Sequence, residues 1–382
     1  MAEFTRYAGL DVHKENVSIA MAGPTGPVTV VQELPHHLPK LEKFFRKALK
    51  DGPITACYEA GGCGYGLQRA MTSWGVTCHV VAPSLIPRAA GRRVKTDRLD
   101  AIKLMESLRA GVLTPVHVPS EAEERIRGLV RARDAARVSL HRVQQQILKF
   151  LLLRGLRHPD GKAWTAEFCA WLNTLKLESI DKRVLDLYVA QRTLLTQTLS
   201  DLDKDVEAVS TSETFWARDA VARLRCLHGI DTLTAMVLAT EIVDARRFES
   251  PRQLMSYVGL TVSEYSSGSS VKRGGITKTG NRRIRRILIE AGWSYRYPPK
   301  RTRSARWRGQ SAETVAFALR AHIRLHDRFV KLCARKNSTV AVTAVARELV
   351  GFVWAMMRNE PDVRRALTPE VRREVLKQSP VA

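Results

Sequence analysis

Residues 7–23 read YAGLDVHKENVSIAMAG, and the fold of the chain's first third follows from them. Residues 7–12 and 17–22 are short β-prone runs, residues 28–34 are a third, and Gly23, Pro24, Gly26 and Pro27 supply the turn between the last two. Three such runs in succession predict an antiparallel meander. Beyond them, Leu38, Leu41, Phe44, Phe45 and Leu49 recur at helical spacing, and residues 54–58 read as a buried strand. A Gly-rich turn then opens a helix over 65–74, residues 77–82 form another strand, and a helix is expected over 95–109 from Lys95 onward.

This element order is that of an RNase H or RuvC-like fold. Four acids sit where such a fold could gather them. Asp11 lies near the end of the first, central strand and Glu59 directly follows the fourth, so both point toward one edge; Asp97 and Asp100, spaced i and i+3, share one helix face. Clustered carboxylates are hard oxygen donors suited to Mg²⁺ or Mn²⁺, and two such ions can clamp the attacking and leaving oxygens of a phosphodiester. Each acid also has an ordinary reading. Asp97 and Asp100 could cap a helix and favour its dipole, Asp11 could occupy a turn, and Glu59 could be a solvated strand end. Joint placement on one topology favours metal-dependent phosphoryl transfer. The run Gly61, Gly62, Gly64, Gly66 lacks the Gly-Lys-Ser/Thr ending of a phosphate loop and reads as a turn.

Composition points to the partner. The 382 residues carry 62 Lys plus Arg against 38 Asp plus Glu, a formal net charge of +24, which predicts a polyanion. No uninterrupted apolar span approaches membrane length and the start MAEFTRYAGL has no signal-peptide architecture, so a cytoplasmic, nucleic-acid-facing protein with no membrane partner is expected. Cys57, Cys63, Cys78, Cys169, Cys226 and Cys333 show no paired spacing, so neither a disulfide framework nor a zinc site is indicated.

The length allows two or three domains. From Ser120 the pattern becomes long helix: Ser120 and Glu123 are spaced as a capping box, and Ile126, Leu129, Arg133, Ala136, Leu140, Val143, Ile147 and Phe150 form a heptad seam interrupted at Arg133. A second helix is expected over 181–206, with Val184, Leu187, Tyr188, Leu195, Leu199, Leu202 and Val206 on its apolar side, and residues 154–173, including His158 to Gly161, as the turn between. The pair forms an antiparallel hairpin, a coiled coil between protomers, or a plain spacer. Division into 1–115, 116–210 and 211–382 follows: an α/β domain, a helical or coiled-coil region, and a mainly α-helical C-terminal domain.

In that last region, LRCLHGIDTLTAMVLATEI (224–242) has a helix-hairpin-helix pattern around Gly229, whose amides could meet a DNA phosphate or simply turn the chain. After a helix around 252–258 comes GLTVSEYSSGSSVKRGGITKTGNRRIRRILIEAGW (259–293), a Ser/Gly loop joined to dense positive charge. Lys272, Arg273, Lys278, Arg282, Arg283, Arg285 and Arg286 fall in it, and Arg296, Lys300, Arg301, Arg303, Arg306 and Arg308 extend it among Trp293, Tyr295, Tyr297 and Trp307. The mixture suits phosphate contacts with base stacking, although a charge run alone equally describes a solvated surface. Ser266, Ser267, Ser269 and Ser270 could be loop formers or hold a nucleophile, which would need activation by a base, metal or cation.

YAGLDVHKENVSIAMAG, ACYEAGG, KTDRLDAIKL and YVGLTVSEYSSGSSVKRGGITKTGNRRIRRILIEA, in this order across nearly the whole chain, resemble the transposases of the 110 family of bacterial insertion sequences. The resemblance implies a RuvC-like DEDD domain joined through a coiled coil to a C-terminal transposase domain, with Asp11, Glu59, Asp97 and Asp100 as Mg²⁺ ligands. It also selects the serine preceding the glycine of the S-G-x-S stretch, Ser267, as the residue that becomes covalently joined to DNA. Donor and target DNA, a structured noncoding bridge RNA, a homodimer or homotetramer and a bacterial, nucleoid-associated setting are implied with it. Val262 departs from the family's usual proline in GL-[TA]-P. Two other readings fit part of the pattern: a metal-dependent junction-resolving DEDD nuclease that uses only metal-activated water and forms no covalent intermediate, and a non-catalytic basic nucleic-acid-binding protein. A DEDD exonuclease fits less well, because Asp11-Val12-His13 replaces the Asp-x-Glu of such enzymes.

Overall fold

A computed structural model describes residues 5–87, 96–159, 161–267, 270–299 and 305–359. The chain divides into two compact units, Met1–Ser120 and Glu121–Ala382. The expected helix start at Lys95, the turn residue Asp160, Ser269 and the basic residues Lys300, Arg301 and Arg303 lie outside the described residues.

The first unit contains β1 (Arg6–Val12), β2 (Asn16–Ala22), β3 (Val28–Pro35), α1 (Leu38–Ala48), β4 (Ile54–Glu59), α2 (Gly66–Ser73), β5 (Thr77–Val81) and α3 (Asp97–Arg109). The sheet runs β3-β2-β1-β4-β5. β1 to β3 form the antiparallel meander, whereas β4 pairs parallel with β1 and β5 parallel with β4. This mixed sheet accords with a RuvC-like DEDD domain.

Strand alternation sends neighbouring side chains to opposite faces. Ala8 and Leu10 of β1 pack with Leu41, Phe45, Leu67 and Met71 of α1 and α2. Tyr7 instead packs with Ala101, Ile102 and Met105, so α3 covers the other face. A Cβ on Gly9 would lie 2.2 Å from the Ala101 carbonyl oxygen and 2.3 Å from the Met105 nitrogen, so only glycine lets α3 sit this close to β1. Thr96 starts α3 by accepting the Leu99 N–H at 3.3 Å.

The second unit holds α4 (Glu121–Leu153), α5 (Ala166–Thr174), α6 (Ser179–Thr211), α7 (Arg218–Leu224), α8 (Thr232–Ile242), α9 (Pro251–Val258), β6 (Val262–Ser267), β7 (Ser270–Ile276), α10 (Arg282–Gly292), α11 (Ala312–Cys333) and α12 (Ser338–Arg358). Arg133 of α4 pairs with Asp203 of α6, and Arg154, just past the end of α4, pairs with Asp181 near the start of α6; the partners run in opposite directions, so the two helices form an antiparallel hairpin within the chain. Arg133, the break in the apolar seam, is thereby answered by a carboxylate on the facing helix. Two expectations are corrected in this region. Leu185, not Leu187, is buried on α6; Leu187 is exposed. The connection carries α5, because Phe168 and Leu172 are buried with Leu151 and Leu185 in a small core of their own.

The remaining helices share one core, in which α8, α10, α11 and α12 all bury residues. α12 is long and apolar enough to cross a membrane by length and composition, but Arg347 and Glu348 interrupt its apolar run and Val342, Val345, Ala346, Leu349, Val350 and Val353 are buried in that core. Gly229, at φ 78°, turns the chain between α7 and α8. A Cβ there would come within 2.6 Å of the Ala291 carbonyl oxygen, so the turn is seated against the protein's own backbone. The Ser/Gly loop is a β-hairpin: β6 and β7 pair antiparallel, with Ser267 opposite Ser270.

Candidate active site

Asp11 lies one residue beyond Leu10, the last β1 residue paired with β4, and Glu59 one beyond its partner Tyr58. The two acids therefore stand at the carboxyl ends of neighbouring parallel strands. Alternation fixes their face: Gly9 lies against α3, and the Cys57 thiol reaches the Leu104 carbonyl of α3 at 3.6 Å, so Asp11 and Glu59, two residues further, are on the α3 side. Asp97 and Asp100 occupy the first turn of α3.

The structure brings Asp11 and Asp97 together with a residue the sequence reading did not select, His13. One ligand atom from each of these three lies within 4.8 Å of the others. Burial pushes the Asp11 carboxyl above its ordinary range, His13 draws it back, and the negative charges of Asp97 and Asp100 add to the rise. Like charges crowded at a partly buried carboxylate are what a divalent cation would relieve, and the oxygen-rich donor set fits one.

Ser267 ends β6, exposed. Its neighbour Ser266 donates to Glu264 at 2.8 Å, and Glu264 also accepts from Arg273 at 3.2 Å, so the Ser266 hydroxyl is engaged on the opposite side of the strand. Hydrogen bonds Thr277 N–H to Thr261 O (2.8 Å), Lys278 N–H to Gly259 O (3.1 Å) and Asn281 N–H to Tyr257 O (2.8 Å) tie the base of the hairpin. Arg285 staples that base, donating to the carbonyls of Val258 at 2.8 Å and Thr279 at 3.1 Å. The result is a firmly rooted hairpin with a solvent-facing tip.

The basic residues divide by what they already hold. Lys272, Arg273, Lys278 and Arg282 are exposed. Arg285 serves the hairpin base, and Arg286 pairs with Asp134 of α4 at 2.8 Å and Glu290 at 2.9 Å, with Arg283 3.8 Å from Asp134. A second buried link reaches the same region. Glu241 of α8 accepts two bonds from Arg131 of α4 (2.7 and 2.8 Å) and one from Asn281 (2.9 Å), the residue that caps α10. Burial pushes Glu241 up, but these partners hold its carboxyl below the ordinary range.

Comparison with known proteins bears on both halves. A DEDD family model of IS110 type, described as Transposase, matches residues 8–154, and one described as Transposase IS116/IS110/IS902 family matches residues 221–306. The Sinorhizobium fredii protein named "Putative transposase y4qE" is 42% identical over 92% of this chain and 88% of its own. The chain belongs to the IS110 family of transposases. The Leptospira borgpetersenii transposase for insertion sequence element IS1533 is 36% identical over 87% of this chain and 97% of its own. In this transposase the four acids lie within the DEDD match, and Ser267 with all seven basic residues lies within the other.

Proposed function

We propose that this transposase cleaves and exchanges DNA strands at the ends of an insertion sequence, with Ser267 forming a phosphoserine intermediate and the DEDD carboxylates binding the metal. The observation that carries the reading is the pairing, in one chain, of a carboxylate cluster at a sheet edge with a serine presented at the tip of a rooted, basic hairpin. Ser267 Oγ attacks the scissile phosphorus while the bond to the leaving sugar oxygen breaks; the serine proton passes to water and the leaving oxygen is protonated. A strand hydroxyl then attacks the phosphoserine, restoring the serine and the phosphodiester. Asp11, Glu59, Asp97 and Asp100 would hold Mg²⁺ or Mn²⁺, which when bound neutralises charge on the phosphate and leaving oxygens. Lys272, Arg273, Lys278 and Arg282 grip the backbone, while Arg283, Arg285 and Arg286 hold the hairpin and α10 in register for them.

The proposal extends to guidance by a structured bridge RNA that pairs with donor and target DNA, to a dimer or tetramer formed with help from the α4–α6 region as a coiled coil, to phosphate contact at the α7–α8 turn, and to action in the bacterial cytoplasm at the nucleoid. The three-part division 1–115, 116–210 and 211–382 is kept as a functional one. The excess of positive charge supports polyanionic partners. An excision assay in cells tests the reading: Asp11→Ala, Asp100→Ala and Ser267→Ala should each abolish excision, and retention of activity by the serine variant would remove Ser267 from the chemistry. RNA retained on the purified protein, mapped to the element's own noncoding end, tests the guide.

A further inference from the structure

His13 stands at the carboxylate cluster without belonging to the four acids. Its Nε2 is 3.3 Å from Asp11 Oδ2 and 3.7 Å from Asp97 Oδ1. Both of its backbone groups are fixed, the N–H donating to Asn16 O at 2.9 Å and the carbonyl accepting from His36 Nδ1 at 2.7 Å. The imidazole is thus aimed by the β1–β2 turn while its side chain stays 57% exposed.

The Asp11 contact is within hydrogen-bond reach, yet at this exposure an ion pair would add little stability. The same placement suits another role. Adjacent ligands of an octahedral ion with bonds of about 2.1 Å stand roughly 3 Å apart, and one donor atom from each of the three residues lies within 4.8 Å of the others, within the range a modest side-chain adjustment spans. We propose that His13 is a metal ligand, donating Nε2 beside Asp11 and Asp97, and that it makes the site select Mn²⁺ over Mg²⁺. Mg²⁺ favours oxygen donors and sheds water reluctantly, whereas a transition ion accepts imidazole nitrogen. The inference rests on the reading of the four acids as a metal site and specifies which ion that site prefers.

The test uses the full-length, metal-stripped protein with Mn²⁺ as probe, read by electron paramagnetic resonance without DNA. In the wild type, pulsed spectra should show nitrogen modulation from a bound imidazole. His13→Gln should lose that modulation and weaken Mn²⁺ by about tenfold or more, while Mg²⁺ competition is little changed. His13→Asp, restoring an all-oxygen set, should bind Mn²⁺ without the nitrogen signal and compete better with Mg²⁺. Nitrogen modulation persisting in His13→Gln, or missing from Mn²⁺-loaded wild type, overturns the proposal. Asp11→Asn separates the two layers: undiminished Mn²⁺ binding there overturns the acid site itself, independently of His13.

Discussion

Ser266 and Ser267 differ in surroundings more than in sequence. The Ser266 hydroxyl is spent on Glu264, which Arg273 also holds, while Ser267 lies at the exposed strand end. Ser267→Ala should therefore lower strand cleavage by about a thousandfold or more, as loss of a nucleophile does. Ser266→Ala removes one exposed hydrogen bond to the Glu264 carboxylate and should stay within about tenfold, read in the same cleavage assay. The four acids were legible in the sequence because each has a fixed place on a predicted element. His13 was not, since a histidine two residues after an aspartate is common; it gains meaning only when α3 brings Asp97 alongside.

At the level of elements, the distance between β1 and α3 sets the site, because Asp11 is carried by one and Asp97 and Asp100 by the other. Gly9→Ala would drive a Cβ into the Ala101 carbonyl, 2.2 Å away, so α3 must shift. Overpacking of this kind costs about 1–3 kcal/mol, visible as a lower melting temperature, and metal binding should weaken with it. Arg131→Met should be comparably damaging, by about 1–3 kcal/mol in denaturant titration, because it strips the buried Glu241 of its bidentate partner and leaves it the bond from Asn281. The strands of the first unit could be read ahead as short β-prone runs bounded by turn residues, with β1, β2 and β4 buried on both faces, and α1 as an apolar run at helical spacing. The β6–β7 hairpin buries neither face near its tip, so no alternation marked it, and Ser/Gly content pointed to a loop. The Arg131–Glu241–Asn281 link joins residues far apart in sequence, a pairing that local pattern does not encode.

Across the whole molecule, charge and titration set the working conditions. His322 stacks on His228 with ring centroids 3.9 Å apart and meets the Tyr297 carbonyl at 3.2 Å. Burial, then the neighbouring His228, pushes its pKa down to about 4 despite that carbonyl, with His326 adding to the fall. The folded protein therefore refuses a proton that the unfolded chain accepts near pH 6.5, so stability is full above about 6.5 and is lost as pH falls toward 4. The loss is at most about 3 kcal/mol, and melting curves of His322→Gln should show a shallower decline over the same range.

The proposed strand transfer requires both Ser267 as nucleophile and the DEDD carboxylates as metal ligands. The most direct measurement traps the reaction with a nicked DNA substrate, RNA transcribed from the element's noncoding end and a divalent cation, then digests the denatured protein and locates bound nucleotide by mass spectrometry. Nucleotide on the Ser267 peptide is predicted for the wild type, with the adduct lost in both Ser267→Ala and Asp11→Asn. DNA cleaved with no protein-bound nucleotide, or an undiminished adduct in Asp11→Asn, would contradict it.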